Sequence, residues 1–335
     1  MPMSKLLSVS VAAYNVQETL QQALDSFLDS EILPLVQVIV VDDGSHDDTA
    51  AIAQQYVQAH PETFVLVQKI NGGYGSTINA SLDLACGTYF RVLDGDDWFD
   101  TKELKKLLSF LDTAREDVVL CNAYRKVYEN GGEKVVNLPI AASQNLDFSS
   151  LDAVTVIEHH LTVFKTQCLL RQGWQPLLEH CFYTDEQYML QGLLKAEKIA
   201  VVDCCPYCYR LGLVGQSVSV QGYAAHYLDG IRCNQALQDM IRPYLGETLT
   251  PKVTFLVRFV ANSVQNLYGM FLCLPANREN KKKLLAYHRY MQTENPTVYV
   301  HAHAKKIVFL RCSRFLLYRP MAWAWKRKLR RDNHI

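Results

Sequence analysis

The densest chemistry in the chain lies in RVLDGDDWFD, residues 91–100, where Asp94, Asp96, Asp97 and Asp100 follow a short apolar run. Unpaired like charges this close repel and raise one another's pKa. A hard divalent cation, Mg²⁺ or Mn²⁺, held together with substrate phosphates removes that repulsion. The plain alternative is a solvated turn with Asp100 capping the next helix. The apolar strand before the cluster, and the other polar loops that converge with it, favour a metal held by Asp94, Asp96 and Asp97.

Four further stretches carry candidate chemistry. Asp42-Asp43-Gly44-Ser45 ends an apolar run. An acid there accepts a hydrogen bond from a ring N–H or a ribose hydroxyl. The same residues suit an Asx turn with Gly44 at positive φ, followed by helix capping at Thr49. Both uses are compatible, one Asp turning the chain while its neighbour binds. NGGYGS (71–76) is glycine-rich and opens a helix, which lets backbone approach a phosphate. It matches neither GxxxxGK nor GxGxxG, and a flexible loop accounts for it equally well. In CFYTDEQYML (181–190), Asp185 and Glu186 precede an apolar run. Thr184 and Gln187 have capping-box spacing, and acids in a first helical turn complement the dipole. The functional alternative is a general base for an incoming hydroxyl, and the residues leave the two level. Arg210, Gln216, Ser217 and Ser219 lie in YRLGLVGQSVS (209–219), where Arg and hydroxyls suit a diphosphate and a surface loop is the default.

The elements that must position these groups alternate regularly over the first 125 residues. LLSVSVAA (6–13), VQVIVV (36–41), FVLVQK (64–69), TYFRVL (88–93) and DVVLCNAY (117–124) are strand-like. Between them Leu20, Ala23, Leu24, Phe27 and Leu28, then Ile52, Tyr56 and Ala59, then Ile78 and Leu82, then Leu104, Leu107, Leu108 and Leu111 recur at helical spacing. Gly87 is the expected stop of the third helix. Such alternation predicts an α/β fold, a mostly parallel sheet with helices on both faces. Ligands then bind outside the carboxyl ends of the strands, where Tyr14-Asn15, Asp42-Asp43, Asn71–Gly75 and Asp94–Asp97 all fall. Beyond residue 130 the alternation fails. YENGGEKV predicts a hairpin turning at Asn130-Gly131-Gly132, residues 150–220 are mixed, and 222–290 are mostly helical with a break near Pro275–Asn280.

The 335 residues carry 34 basic and 34 acidic side chains, yet the charges are not evenly spread. Residues 295–331 hold ten Lys or Arg and no acid, leaving 24 basic and 33 acidic residues in 1–294, a net of −9. Basic residues interleaved with Phe309, Leu316, Leu317, Trp323 and Trp325 suit an interfacial helix on an anionic membrane through residues 305–331. A helix packed on the acidic body is the alternative. No nucleic-acid motif accompanies the tail, so no nucleic-acid partner is expected. The ten cysteines lack a framework spacing, which fits reduced thiols in a cytosol. Cys204, Cys205 and Cys208 have no second pair at zinc-ligand spacing. Ser8–Ala13 is too short for a signal peptide. The apolar stretch 253–275 carries Arg258, Asn262, Gln265 and Asn266, which predicts a buried or amphipathic helix and not a membrane span.

A phosphatase of the haloacid-dehalogenase type also places Asp-x-Asp after a strand, but wants Thr or Val where this chain has Trp98. Together the stretches instead resemble the family-two inverting glycosyltransferases of the GT-A fold, of the bacterial polysaccharide and cell-envelope type. SVSVAAYNVQETLQQALDSFL, VIVVDDGSHDDT, NGGYGSTINASLDLACGTYFRVLDGDDW and FYTDEQY stand in the family's order. The match is close over 4–125 and looser over 155–220. The resemblance implies that Asp43, with Ala12, Tyr14 and Asn71 nearby, holds the base and ribose of a nucleotide-sugar. Asp94 and Asp96 would be the DxD pair, with Asp96 and Asp97 nearest a Mn²⁺ or Mg²⁺ ion. Asp185 would be the base where the family often has Glu-Asp. Thr184 stands in place of that Glu, so Asp185 and Glu186 both stay candidates. The segment from Arg210 through Ser217 to Ser219 would close over the diphosphate. The implied activity is metal-dependent inverting transfer from a nucleotide-sugar, most often UDP-linked, to a hydroxyl of a glycan or lipid-linked acceptor. It would run in the cytoplasm or on the inner face of the cell membrane. A nucleotidyltransferase of related fold would want a basic Gly-rich loop where Ala12-Ala13-Tyr14-Asn15 stands; a non-catalytic nucleotide-sugar-binding scaffold is the third reading. The expected organisation is a nucleotide-sugar-binding part over 1–125, an acceptor and catalytic part over 126–221, and a helical region over 222–335.

Overall fold

The computed structural model describes residues 5–332 apart from 153, 155, 171, 172, 214 and 215. The chain forms two compact units, Met1–Arg210 and Leu211–Ile335.

In the first unit, β1 (Leu7–Ala13), α1 (Leu20–Asp25), β2 (Val36–Asp42), α2 (Thr49–Ala59), β3 (Phe64–Gln68), α3 (Tyr74–Leu84) and β4 (Tyr89–Asp94) alternate as the apolar periodicity predicts. Next come β5 (Trp98–Phe99), α4 (Thr101–Thr113), β6 (Val118–Cys121), β7 (Ala123–Tyr128), β8 (Glu133–Asn137) and β9 (Ser143–Leu146). The unit closes with β10 (Thr162–Lys165), α5 (Thr166–Leu169), α6 (Thr184–Lys195), β11 (Ile199–Val202) and β12 (Tyr207–Leu211). Among the described residues an eight-stranded sheet runs β3-β2-β1-β4-β10-β6-β11-β9, and a four-stranded sheet runs β5-β12-β7-β8.

β1, β2 and β4 are almost wholly buried, as strands covered on both faces must be. β1 pairs in parallel with both neighbours, placing Ala13 beside Asp42 and Ala12 beside Asp94. The polar strand ends are therefore level along one edge of the sheet. β10 enters antiparallel between β4 and β6. The turn at His159–Leu161 just before it is thereby delivered to the same edge as Asp94.

Four local expectations need correcting. The run 117–124 is not one strand: β6 and β7 join different sheets, parting at Asn122, whose amide donates to Val202. Gly87 does not stop α3, which ends at Leu84 with Ala85 extended. Instead a Cβ at Gly87 would meet the Ser8 backbone nitrogen at 2.4 Å, so glycine is needed for close passage past β1. α1 stops at Asp25; Phe27 still packs in the core, but Leu28 is exposed. Thr49 does not cap α2 with its side chain. Asp47 accepts from the Thr49 amide, and the Thr49 hydroxyl accepts from Val16. The hairpin at 129–132 forms as expected, with β7 and β8 antiparallel and Gly131 at φ +81°.

The second unit comprises α7 (Val220–Ala225), α8 (Tyr227–Ile241), α9 (Pro251–Cys273), α10 (Arg278–Glu294), α11 (Pro296–His301), α12 (Lys305–Cys312) and α13 (Tyr318–Asp332). α9 is the apolar stretch, and α7, α8, α11 and α13 pack on it. Its buried Ser263 accepts from Asn234, which in turn accepts from Tyr287 at 2.6 Å, so these buried polar groups are paired. Among the described residues no helix is long and apolar enough to cross a membrane.

Candidate active site

The loop after β1 and the loop after β2 are stitched together. Asn15, at φ +52°, donates its amide to the Ser45 hydroxyl and accepts from His46. Gln17 exchanges hydrogen bonds with Asp47 and Asp48. The two acids at 42–43 divide their work. Asp42 accepts from the Ser45 amide, closing an Asx turn with Gly44 at φ +78°. Asp43 is buried, pairs with Lys69 Nζ at 2.8 Å, and accepts from the amides of Gly72 and Gly73 at 2.9 and 2.7 Å. It thus organises the glycine-rich loop. Asn71 lies exposed on that loop, Tyr14 is exposed on the first, and the Ala12 carbonyl accepts from Gly95 at 2.9 Å.

The glycines of 71–76 have a use that the motif does not announce. A Cβ on Gly75 would meet the Leu178 carbonyl oxygen at 2.4 Å, and Gly73, at φ +81°, lies against His180. Segment 175–180 is fastened by side-chain amides: Asn79 pairs with Leu177 both ways, Gln187 accepts from Leu178, and Gln191 pairs with Gln175 both ways. The capping box at 184–187 is therefore not made. Gln187 is spent on Leu178, Thr184 is buried inside the helix, and the N-cap is Tyr183 in the left-handed region at φ +69°. What these contacts fix is the start of α6, and with it Asp185 and Glu186 in the first turn.

The carboxylates after β4 also separate by role. Asp100 caps α4, accepting from Lys102 and Glu103. Asp97 is buried and accepts from the Tyr207 hydroxyl and the Arg210 amide, both at 2.7 Å. Burial, then repulsion from Asp96 and Asp94, pushes its pKa well above the ordinary carboxylate value. The Arg210 guanidinium donates to the Asp96 carbonyl at 2.8 Å and to Gln22 at 2.5 Å, and lies 4.7 Å from the Trp98 ring. It supports the DGDD loop. In the second unit Ser219 caps α7 by accepting from Gly222, and a Cβ on Gly222 would meet the Ser217 carbonyl oxygen at 2.4 Å. Val214 and Gly215 of the expected closing segment lie outside the described residues.

One residue joins the two acidic groups, and no motif pointed to it. His159 sits between Asp94 and Asp185, Nε2 3.6 Å from one carboxylate and Nδ1 3.6 Å from the other. Burial opposes its charge, but Asp185 and Asp94 prevail and raise its pKa to about 10. For Asp94 burial again opposes the charge, and His159 beside it holds the pKa below the usual value. Burial, and then the charges of Asp94 and Asp185, lift the Tyr74 hydroxyl well above 10.0. His160 braces His159 with ring centroids 4.0 Å apart, its own ring stacked on Tyr124 and Tyr209. The fully buried Arg91 donates to the His160 carbonyl at 2.9 Å and lies over Phe99.

The oxygen donors suit a hard cation. Asp94, Asp96 and Asp97 offer ligand atoms within 4.8 Å of one another, as do Asp94, His159 and His160. Asp94 Oδ1 is buried with no hydrogen-bond partner among the described residues, an acceptor that a cation would satisfy.

The sheet thus carries acids at the carboxyl ends of β2 and β4, with a carboxylate of α6 opposite Asp94 across His159. The fold is GT-A. Over 98% of this chain and 91% of the other, it superposes with TM-score 0.65 and 18% identity on Staphylococcus aureus TarS 1–349, crystallised with UDP. It matches the mannosyltransferase PcManGT of Pyrobaculum calidifontis, in complex with GDP-Man and Mn²⁺, at TM-score 0.55 and 16% identity, over 97% of this chain and 88% of that one. The profile of Glycosyl transferase family 2 matches residues 8–173, and this part of the chain is a glycosyltransferase domain of that family. It is 28% identical over 222 residues to Escherichia coli chondroitin synthase, covering 64% of this chain and 30% of that one. The chain spans about half the length of the curated relatives that it matches first.

Proposed function

We propose that the chain is a metal-dependent inverting glycosyltransferase. It moves a sugar from a UDP-linked donor to a hydroxyl of a glycan or lipid-linked acceptor. The observation that carries this is the opposition of Asp94 and Asp185 across His159, 3.6 Å from each. A carboxylate at the metal loop and a carboxylate on α6 thereby face one space. A cation held by Asp94 and Asp96 supplies Lewis-acid stabilisation to the leaving diphosphate. Asp185 takes the proton of the acceptor hydroxyl as its oxygen bonds to the anomeric carbon. The bond from that carbon to the diphosphate breaks on the opposite side, and a single displacement inverts the centre. Asp97, tied to Tyr207 and Arg210, holds the loop in place. Asp43 fixes the loop at 71–73, beside which the base and ribose would lie, with Ala12, Tyr14 and Asn71 as neighbours. UDP in the TarS crystal and Mn²⁺ in the PcManGT crystal support the donor and metal classes.

The second unit supports docking at an anionic membrane. α13 packs on α9, and Lys326 donates to the Leu274 carbonyl at 2.8 Å. Yet Phe309, Leu316 and Trp323 are 60%, 78% and 64% exposed among the basic residues of 305–331. Exposed apolar side chains set among Lys and Arg match an interfacial surface.

The experiment is UDP release from a panel of UDP-sugars with Mn²⁺ or Mg²⁺, for wild type and Asp96→Ala. The expected result is release by wild type that stops on chelation and falls at least about 100-fold in the variant. Equal rates in chelator or in the variant would defeat the reading.

A further inference from the structure

We propose that His159 is itself a ligand of the divalent cation, adding a nitrogen donor beside Asp94, the residue shared by the two groups of potential ligands. The inference rests on assigning the Asp94–Asp97 cluster to a metal, and goes beyond it in naming a ligand from a separate part of the chain.

Three observations meet at this ring. Its Nε2 is 3.6 Å from Asp94 Oδ2, the nearest approach of a histidine to the cluster that the ion pairs show. That nitrogen is buried and has no hydrogen-bond partner among the described residues, while the residue as a whole is 8% exposed. A buried polar atom left so, beside an equally unpartnered Asp94 Oδ1, marks a place where a group is to be bound. On the other side Nδ1 faces Asp185 Oδ2 at 3.6 Å. A metal-bound histidine characteristically offers its second ring N–H to a carboxylate, which fixes its tautomer and orientation. Asp185, His159 and Asp94 stand in that order.

The backbone makes the placement firm. His159 opens the tight turn before β10, and His160 next to it is held by Arg91, Tyr124 and Tyr209. His160 also belongs to a group that includes Asp94, and its Nε2 is likewise buried without a hydrogen-bond partner among the described residues, but its Nδ1 faces Glu158 at 3.4 Å, whereas that of His159 faces Asp185. One consequence is a link between the metal and the base: the ring that meets the cation also orients Asp185. Another is metal choice. An imidazole nitrogen suits Mn²⁺ better than Mg²⁺, which prefers oxygen donors.

The test is pulsed EPR of the full chain loaded with Mn²⁺, alone and with UDP, using electron spin-echo envelope modulation. The expected result is a directly bound ¹⁴N coupling that becomes ¹⁵N when histidine is ¹⁵N-labelled. It survives in His160→Gln and disappears in His159→Gln, which binds Mn²⁺ about 10-fold or more weakly. Should His159→Gln fail to fold, retention of the signal in folded His160→Gln assigns it to His159, since these two are the histidines grouped with Asp94 among the described residues. Bound Mn²⁺ without histidine nitrogen coupling in wild type, or coupling that persists in His159→Gln, would overturn the proposal and leave the metal site standing. Absence of Mn²⁺ binding to wild type, or binding unchanged in Asp96→Ala, would overturn the metal site and this ligand with it.

Discussion

Gly75 and Leu178 are in backbone contact: a Cβ on the glycine would lie 2.4 Å from the leucine carbonyl oxygen. α3 is thereby pressed against the segment that leads into α6 and presents Asp185. Gly75→Ala should push that segment away at a cost of about 1–3 kcal/mol. A shift of the base by even an ångström costs about 100-fold in rate. The expected outcome is a folded protein with lowered Tm, near-normal UDP binding and strongly reduced transfer. Transfer at the wild-type rate would show that this contact does not position the base.

Of the two acids in the first turn of α6, Asp185 faces His159, its Oδ2 3.6 Å from Nδ1. Asp185→Asn should lower kcat by about 10²–10⁴ with the donor still bound. Glu186→Gln should stay within a few-fold of wild type. Steady-state transfer kinetics with calorimetric UDP binding check both, and the reverse ranking would move the base to Glu186.

His288 makes the second unit sensitive to acid. Burial, and then Arg311, lower its pKa to about 4 from the ordinary 6.5. Between those values the unfolded chain holds a proton that the folded chain does not. Stability therefore falls as pH drops from 6.5 towards 4, with a slope of up to one proton. Its Nδ1 meets the Tyr268 hydroxyl at 2.7 Å, a contact that Gln can replace. Urea unfolding from pH 7 to 4 should show a shallower decline for His288→Gln than for wild type.

The exposed apolar residues near the end of the chain predict lipid binding. Wild type should co-sediment with anionic vesicles at low salt and much less at high salt, where the attraction is screened. Leu316→Glu with Leu317→Glu should abolish this while UDP release in solution stays unchanged. Equal recovery on neutral and anionic vesicles would contradict the electrostatic part of the account.

The alternating half of the fold was legible because its signals are local. β1 to β4 are short, predominantly apolar runs, and parallel strands place their following loops on one edge whatever the details. The DGDD cluster announced itself by charge alone. His159 did not, because its partners come from β4 and α6, and two histidines before a four-residue strand have no periodicity to flag them. NGGYGS (71–76) suits a phosphate approach and a flexible loop equally by composition, and its sequence does not reveal that Gly73 and Gly75 lie against His180 and Leu178. Thr184 and Gln187 have the spacing of a cap, but the Leu178 amide takes Gln187 instead. Arg210 suited an anion by residue type, and only the fold shows it reaching back to Asp96 and Gln22.

The central claim is that nucleotide and divalent cation bind together at the carboxylates after β4. A thermal-shift panel of UDP, GDP, CDP and dTDP, each with and without Mn²⁺ or Mg²⁺, measures it most directly, since a ligand of the native state raises apparent stability with the logarithm of its saturation. The account predicts that UDP raises Tm only when the cation is present, more with Mn²⁺ than with Mg²⁺, and not in Asp96→Ala. A UDP shift of equal size without metal, or no shift from any nucleotide with either cation in a folded sample, would contradict it.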